Sequence, residues 1–286
     1  MKKNKKAALS TAALCLATAM CIGCTENAFS GGAEESAAHG TTLAVQFLKV
    51  GKADAIVLLC GGEAVVIDAG EIGDGGKVLN ALSEAGIRSV KALILTHFDK
   101  DHIGGAAELL AEVAVERVFC PDYEEDSDEM QALQDALQRT AVPVEVLTEE
   151  SSFSCGAAWL TLLPPGNGDR SDNDRSIAAL LTFGERRMLF AGDAMETRIE
   201  ELLRDERIAA GGFDLLKLPH HGALCGKSAE LIAAVRPGLA VICCSKKNPP
   251  NKTLLALFAA QGTQVLTTDS GNVVVEAAEG GSLTVR

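Results

Sequence analysis

A chain of 286 residues that is 47% hydrophobic and 23% charged has ample material for a core, which excludes disorder of the whole chain. The formal charge is −13, and the first 23 residues hold four lysines and no acids, so the remainder carries −17. So acidic a body has no general grip on phosphate backbones or anionic lipid heads, and a basic protein that coats nucleic acid is excluded. Any nucleic-acid contact has to be local or bridged by metal, and strong nonspecific binding is not expected.

The amino-terminal segment reads as an address. Lys2, Lys3, Lys5 and Lys6 precede a stretch from Ala7 to Gly23 whose polar interruptions are Ser10, Thr11 and Thr18. That is short for a membrane span and has the charge-then-apolar order of a secretory signal. Cys21-Ile22-Gly23-Cys24 closes it and resembles a bacterial lipobox, with Cys24 as the lipid attachment residue and the outer face of the cytoplasmic membrane as the destination. Ala17-Thr18-Ala19 offers a rival cleavage site for plain secretion, and an uncleaved anchor is the third reading. Residues 24–40, rich in Ser, Gly, Ala and Glu, read as a flexible tether. The expected organisation is a signal over 1–23, the tether, and one compact domain over 41–286.

Export permits disulfides, but a body of this size does not need them for stability. Cys60, Cys120, Cys155, Cys225, Cys243 and Cys244 form no C-x-x-C pair, and four of them end apolar runs, so mostly buried thiols are expected. Cys225 is the exception to watch, because it follows a histidine pair.

From Thr41 onward, apolar runs of strand length alternate with helical patterns. Leu43–Val50, Ala55–Cys60 and Ala64–Ile67 read as strands, followed by a helix over Gly76–Gly86, a buried strand at Ala92–Leu95 and a helix over Ala106–Val113. Asp122 to Glu129 packs six acids into eight residues, a solvated loop leading into a helix around Gln131–Gln138. Strands follow at Val144–Leu147, Trp159–Leu163, Ile177–Phe183 and Met188–Ala191, then a helix over Glu196–Arg204 and a strand at Phe213–Lys217. The tail repeats the alternation: a helix at Ser228–Val235, a strand at Leu239–Cys243, a helix at Lys252–Ala260, and strands at Gln264–Leu266 and Val273–Glu276. Two β-rich halves, each followed by helices with no linker between them, are expected.

The five histidines are not scattered. His39 lies in the tether, and the other four fall in two short clusters, each at the end of an expected strand. The first is Thr96-His97-Phe98-Asp99-Lys100-Asp101-His102-Ile103-Gly104-Gly105. On an extended exit, residues two apart point the same way, so His97, Asp99 and Asp101 can converge, and imidazole beside carboxylate is a metal-ligand grouping. The second is Leu218-Pro219-His220-His221-Gly222, where adjacent side chains point apart, so one histidine coordinates and the other contacts substrate or transfers a proton. Asp193, after Leu189-Phe190-Ala191-Gly192, is poised to bridge ions. By themselves Asp193, Asp68 and Asp54 are more often turn acids or helix N-caps.

These motifs in this order resemble the metallo-β-lactamase superfamily, and within it the carboxy-terminal domain of ComEC, the competence DNA-uptake channel, and its free-standing relatives. The resemblance rests on Thr-His-Phe-Asp-Lys-Asp-His-Ile-Gly-Gly, Asn173-Asp174-Arg175-Ser176-Ile177, Ala191-Gly192-Asp193 and Leu218-Pro219-His220-His221-Gly222, and it covers about Leu43 to Val275. It implies an α/β (α+β) fold, the four-layer αββα sandwich. It implies His97, Asp99, Asp101, His102, Asp193 and one or both of His220 and His221 as metal ligands, with Asp193 bridging. Asn173 and Ser176 would line the cleft as substrate-binding residues, and Asp68 would support the site from beneath.

The departures carry information. Asp99 stands where β-lactam-cleaving relatives have a second histidine, so the donor set is harder, and Mn²⁺ or Mg²⁺ becomes as suitable as Zn²⁺. Lys49 and Lys52 replace the Asp and Gln expected before Asp54, and Ser245–Asn251 lacks an expected Gly-His-Pro. No run of membrane segments is present, so the chain is not itself a channel. The expected activity is metal-assisted hydrolysis by one or two divalent ions, with Asp101 orienting water and the spare histidine, taken as His220, protonating the leaving group. A phosphodiester, in nucleic acid or a smaller phosphate ester, is the favoured substrate, with Lys217, Lys246 and Lys247 as local phosphate contacts. The rivals are a metal-binding protein without turnover, a surface-anchored binding module and, disfavoured by Asp99, a β-lactamase.

Overall fold

The computed structural model describes residues 41–168 and 170–286; the signal, the tether and Cys24 lie outside the described residues. The first half runs β1 (Thr42–Phe47), β2 (Ala55–Cys60), β3 (Glu63–Ala69), α1 (Gly75–Glu84), β4 (Ser89–Val90), β5 (Ala92–Ile94), α2 (Lys100–Ile103), α3 (Ala106–Glu112), β6 (Ala114–Val115), β7 (Val118–Cys120), α4 (Asp128–Thr140) and β8 (Val144–Val146). The second half runs β9 (Ser151–Cys155), β10 (Ala158–Leu163), β11 (Ala178–Phe183), β12 (Arg186–Phe190), α5 (Glu196–Arg204), α6 (Glu206–Ala209), β13 (Leu215–Lys217), α7 (Ser228–Val235), β14 (Leu239–Ile242), α8 (Lys252–Gln261) and β15 (Gln264–Thr267). The chain then returns to the first sheet as β16 (Val273–Ala278) and β17 (Leu283–Val285).

Two sheets face each other. The first has strand order β17-β16-β1-β2-β3-β5-β7-β8, and the second β15-β14-β13-β12-β11-β10-β9. Both change character partway. β1, β2 and β3 pair antiparallel, and β5, β7 and β8 continue from β3 in parallel. Likewise β10, β11 and β12 are antiparallel, and β13, β14 and β15 continue in parallel. No repeat is visible in the sequence, yet the halves share this topology, because strand order depends on burial pattern and not on residue identity.

Three apolar layers make this a four-layer αββα sandwich. Between the sheets pack Phe47, Leu58, Ile67, Ile94 and Phe119 from one side and Phe153, Leu160, Leu181, Phe190 and Val241 from the other. Phe47 stacks on Phe190 with ring centroids 6.2 Å apart, and Phe119 on Phe153 at 5.4 Å. Outside the first sheet, Val57, Val66 and Leu93 meet Val78 and Leu82 of α1, Leu109 of α3 and Leu133 of α4. Outside the second, Leu189, Leu216 and Ala240 meet Ile199 and Leu202 of α5, Leu231 of α7 and Phe258 of α8. Strands with two covered faces read as unbroken apolar runs, which is why Ala64–Ile67 and Leu215–Leu216 show no alternation.

The expected elements form, with shifts of one to three residues at their ends. Unannounced in the sequence are α2, α6, β7, β9, β17 and the two-stranded β4–β6 sheet. β9 hides because Ser151, Ser152 and Ser154 break any apolar run, while Phe153 and Cys155 alone turn inward. The six body cysteines are free thiols, buried except for half-buried Cys225, whose Sγ lies 3.2 Å from Ser228 Oγ. Among the described residues no helix is long and apolar enough to cross a membrane.

Candidate metal centre

The carboxyl ends of β3, β5, β12 and β13 open on one side of the sandwich, and the turn between β1 and β2 joins them. Asp68 is the penultimate residue of β3 and Asp193 follows β12 by three residues. Thr96 to His102 follow β5, and His220 and His221 follow β13, so the two histidine clusters come from matching points of the two halves. Two glycines let these loops meet. A Cβ on Gly105 would collide with the Ala69 carbonyl, and one on Gly192 (φ +52) would reach Ser176 Cβ at 2.8 Å.

The loop after β5 is not extended throughout, as the sequence reading had it. Asp99 is extended, but Lys100–Ile103 form the helical turn α2, which carries Asp101 and His102 inward. Asp99 is left at the rim with its side chain 41% exposed and its carboxylate 3.5 Å from His97 Nε2. That imidazole, acting against partial burial, holds the Asp99 carboxyl below its ordinary value. Nor is the His-His pair extended. His220 and His221 both adopt left-handed backbone, at φ 49° and 52°. Of the five non-glycine residues at positive φ among the described residues, Ala141 and Arg236 cap helices, while Asp68, His220 and His221 are all here. Each such residue stores of order 1 kcal/mol or more of strain, which the surrounding packing sustains.

His102 is fixed at one nitrogen and free at the other: Nδ1 is hydrogen-bonded to Asp68 Oδ2 at 2.8 Å, while Nε2 lies 3.3 Å from Asp193 Oδ2 without a hydrogen bond among the described residues. Asp68 in turn accepts from the Thr96 backbone N–H at 2.8 Å and from Thr96 Oγ1 at 2.7 Å. His221 Nε2 approaches Asp193 Oδ2 at 3.1 Å and Asp101 Oδ2 at 3.4 Å, and its Nδ1 lies 3.5 Å from Asp54 Oδ1. Four groupings place one ligand atom per residue within 4.8 Å of one another: His97, His102 and Asp193; Asp101, His102 and His221; Asp54, Asp193 and His221; and Asp54, Asp68 and His102. His221 therefore enters the centre, whereas His220 and Asp99 belong to none of these groupings.

Most of these close approaches are not hydrogen bonds. His97 Nε2, His102 Nε2, both nitrogens of His221, Asp54 Oδ1 and Asp101 Oδ2 are buried without a hydrogen-bond partner among the described residues. Buried polar atoms are ordinarily paired, and here imidazole nitrogens and carboxylate oxygens aim at a common interior. That donor chemistry fits a divalent cation. Burial opposes charge on His102, but the carboxylates of Asp193 and Asp68 outweigh it and push its pKa to about 10. The same competition takes His221 to about 11, with Asp193 the leading carboxylate. Asp101, despite burial, is held well below the usual carboxylate range by His221, His102 and Lys52. Burial pulls His220 down, with Asp193 opposing.

Two residues central to the geometry read as ordinary in the sequence. Asp54 looks like a turn acid but is buried, and Lys217 looks like a surface phosphate contact but is fully enclosed, its Nζ paired with Asp54, 2.8 Å from the Gly192 carbonyl and 3.4 Å from Asp193 Oδ1. The phosphate-contact reading of Lys217 is thereby corrected: the side chain is 1% exposed. The usable signal was a lysine inside the apolar run Leu215–Leu218, which has to find carboxylates there. Lys246 and Lys247 are exposed on the loop after β14.

Asn173 and Ser176 sit beside the centre with different duties. Ser176 is fully buried and its hydroxyl accepts from the Asp193 backbone N–H at 3.0 Å, so it holds the Asp193 turn and does not face the cleft. Asn173 is half-buried; its Nδ2 lies 3.6 Å from Met195 Sδ and its Oδ1 is buried without a partner.

A model of the metallo-beta-lactamase superfamily matches residues 49–246. The chain is 30% identical over 199 residues to ComE operon protein 3 of Bacillus subtilis, covering 68% of this chain, and 27% identical over 214 residues to Recombination protein 2 of Haemophilus influenzae, covering 73%. It spans about a quarter of the length of these curated relatives, 25% in each case. The crystal structure of the metallo-beta-lactamase fold protein YhfI from Bacillus subtilis superimposes with a TM-score of 0.55 at 15% identity, over 83% of this chain and 100% of that one, a likeness of fold alone. The family match over most of the described body and the four-layer sandwich around one histidine–carboxylate centre lead to one conclusion: the chain belongs to the metallo-beta-lactamase superfamily.

Proposed function

We propose that the chain is a metal-dependent hydrolase acting on a phosphodiester, in nucleic acid or a small phosphate ester. The observation that carries this reading is the convergence of unpartnered, buried imidazole nitrogens and carboxylate oxygens from both halves of the sandwich. His97, Asp101, His102, Asp193 and His221 hold the metal, with Asp54 and the rim carboxylate of Asp99 as further oxygen donors. The balance of carboxylate and imidazole suits Zn²⁺ or Mn²⁺, and also Mg²⁺, as one ion or two. Bound there, a divalent ion polarises the scissile group and lowers the pKa of water toward neutrality.

The chain's own residues do the rest. Asp101 orients the attacking water through a carboxylate oxygen, and the proton that the water loses passes to solvent. His220, beside the centre and outside the ligand groupings, delivers a proton from its imidazole to the leaving oxygen. Asp68 holds His102 in one orientation through Nδ1, the arrangement by which a carboxylate behind a ligand histidine raises its basicity. Asn173 borders the substrate. Cys24 carries a lipid that keeps the protein on the outer face of the cytoplasmic membrane.

The test is elemental analysis of the full chain beside an Asp101→Ala/His102→Ala double variant, with both assayed on bis(p-nitrophenyl) phosphate in Mn²⁺ or Zn²⁺. Metal and turnover in the parent, both lost in the variant, are expected. Absence of bound metal under every loading condition would sink the reading. Metal without turnover on this or any phosphate ester would favour the second reading, a metal-binding protein that hydrolyses nothing.

A further inference from the structure

Two lysines reach the centre, and they differ in what remains open to them. Lys217 is enclosed and committed to Asp54, Asp193 and the Gly192 carbonyl. Lys52 lies at the mouth. It follows Gly51, whose φ of +79° turns the chain between β1 and β2, and its side chain is 42% exposed. Its Nζ lies 2.7 Å from Asp101 Oδ2, yet that oxygen has no partner in hydrogen-bond geometry. The turn beneath is fixed: the Asp54 N–H donates to the Asp101 carbonyl at 3.1 Å, and the Asp54 carbonyl accepts from the Gly70 N–H at 2.8 Å. A rigid turn thus carries a flexible ammonium with one side against a carboxylate and the other toward solvent.

We propose that Lys52 is the anion-recognition residue of this centre, its ammonium pairing with a non-bridging oxygen of a phosphate group held beside Asp101. This deepens the phosphoester reading and rests on it. An acidic body offers a polyanion little general attraction, so a positive charge has to be supplied at the site itself. Among the described residues, the lysine and arginine ion pairs that reach the ligand carboxylates come from Lys52 and Lys217 alone, and Lys217 is sealed. The carboxylates acting on Lys52 are Asp101, Asp193 and Glu71. Neutralisation of Asp101 and Asp193 by a divalent ion weakens their pull, and a four-carbon stem then lets the ammonium turn to an incoming oxyanion.

The experiment measures binding of inorganic phosphate to the metal-loaded full chain by calorimetry, for the parent, Lys52→Met, Lys52→Gln and Lys52→Arg, with metal stoichiometry on the same preparations. Expected are unchanged metal content, a phosphate Kd raised about tenfold in K52M and K52Q, and recovery of most of the affinity in K52R. An unchanged Kd in the neutral variants would overturn the inference, as would a parent that binds no phosphate. So would loss of metal in step with phosphate, which would make Lys52 a support for Asp101. The two readings separate cleanly. Lys52-dependent phosphate binding without hydrolysis of any ester keeps this inference and removes the hydrolase; diester hydrolysis indifferent to K52M does the reverse.

Discussion

Lys217 is the side chain whose removal should be felt most. It is an ammonium with no water to fall back on, compensating Asp54 and Asp193, both buried. Lys217→Met strips buried Asp54 of its paired ammonium and leaves Asp193 to His102 and His221, and breaking a buried pair costs about 3–5 kcal/mol. A urea titration of metal-free protein should show that loss, and adding Asp54→Asn should recover part of it. Asp68→Asn tests a different link. It leaves the fold in place but removes the carboxylate from His102 Nδ1, and metal affinity should fall about 10- to 100-fold. An affinity equal to the parent's in a competition titration against a chelator would refute that role. At this scale the sequence was partly legible. His97, Asp101 and His102 stand out because ligand-type residues cluster after one strand, and Asp193 only through the family resemblance. Asp54 and Lys52 did not, because a Gly-Lys-Ala-Asp turn looks like any solvated hairpin until the opposite half of the molecule closes over it.

The elements that present the site are locked by polar contacts as well as by apolar ones. Asp174 Oδ1 accepts from the backbone N–H groups of Met195 and Arg198, so the loop before β11 caps the start of α5. Arg198 returns the contact, donating to the Ser176 and Leu163 carbonyls and, with Arg170, to Glu201, which also receives the Gly166 N–H. Burial pushes the Glu201 carboxyl up, but these donors outweigh it and hold it below its ordinary value of 4.5. A depressed folded-state pKa stabilises at pH above the unfolded value, and the contribution fades as pH falls through the folded one. Glu201→Gln should therefore be less stable than the parent at pH 7, with the gap closing in denaturant titrations below about pH 4.5. Gly105 is the apolar counterpart. Backbone from Ala69 and Gly75 occupies the space where a Cβ would go, so neither neighbour can rotate away. Gly105→Ala should cost about 1–3 kcal/mol by overpacking and blunt metal uptake by displacing α2; a thermal melt matching the parent's would refute it. The helices and long strands were readable because two covered faces or one covered stripe leave periodic marks. The serine-rich β9 and the turn of helix at Lys100–Ile103 were not, since both owe their conformation to neighbours distant in the chain.

At the scale of the whole molecule, the centre is a seam. The β1–β2 turn, the end of β3 and the loop after β5 bring Asp54, Asp68, His97, Asp101 and His102 from one half; the loops after β12 and β13 bring Asp193 and His221 from the other. A cation bound by both halves ties the sheets together, so chelation should lower the melting temperature. The stabilisation should grow with the logarithm of free metal, reaching about 2.7 kcal/mol at about a hundred times the dissociation constant. Melting curves that ignore metal concentration would count against a shared site. The fold class was legible through the family resemblance that the strand-end motifs carry, the order of strands and helices alone pointing only to two β-rich halves with helices; the matching topology of the halves was not, since their side chains differ while their strand order agrees. One strand also sets how the molecule can be held. β1 leaves the amino-terminal side at Thr42 and ends beside the turn that carries Lys52 and Asp54. Its six residues at about 3.3 Å each amount to some 20 Å, so Thr42 and the turn that carries Lys52 and Asp54 stand at opposite ends of one strand. Immobilisation through Thr41, the first described residue, would therefore leave the metal centre open to solvent.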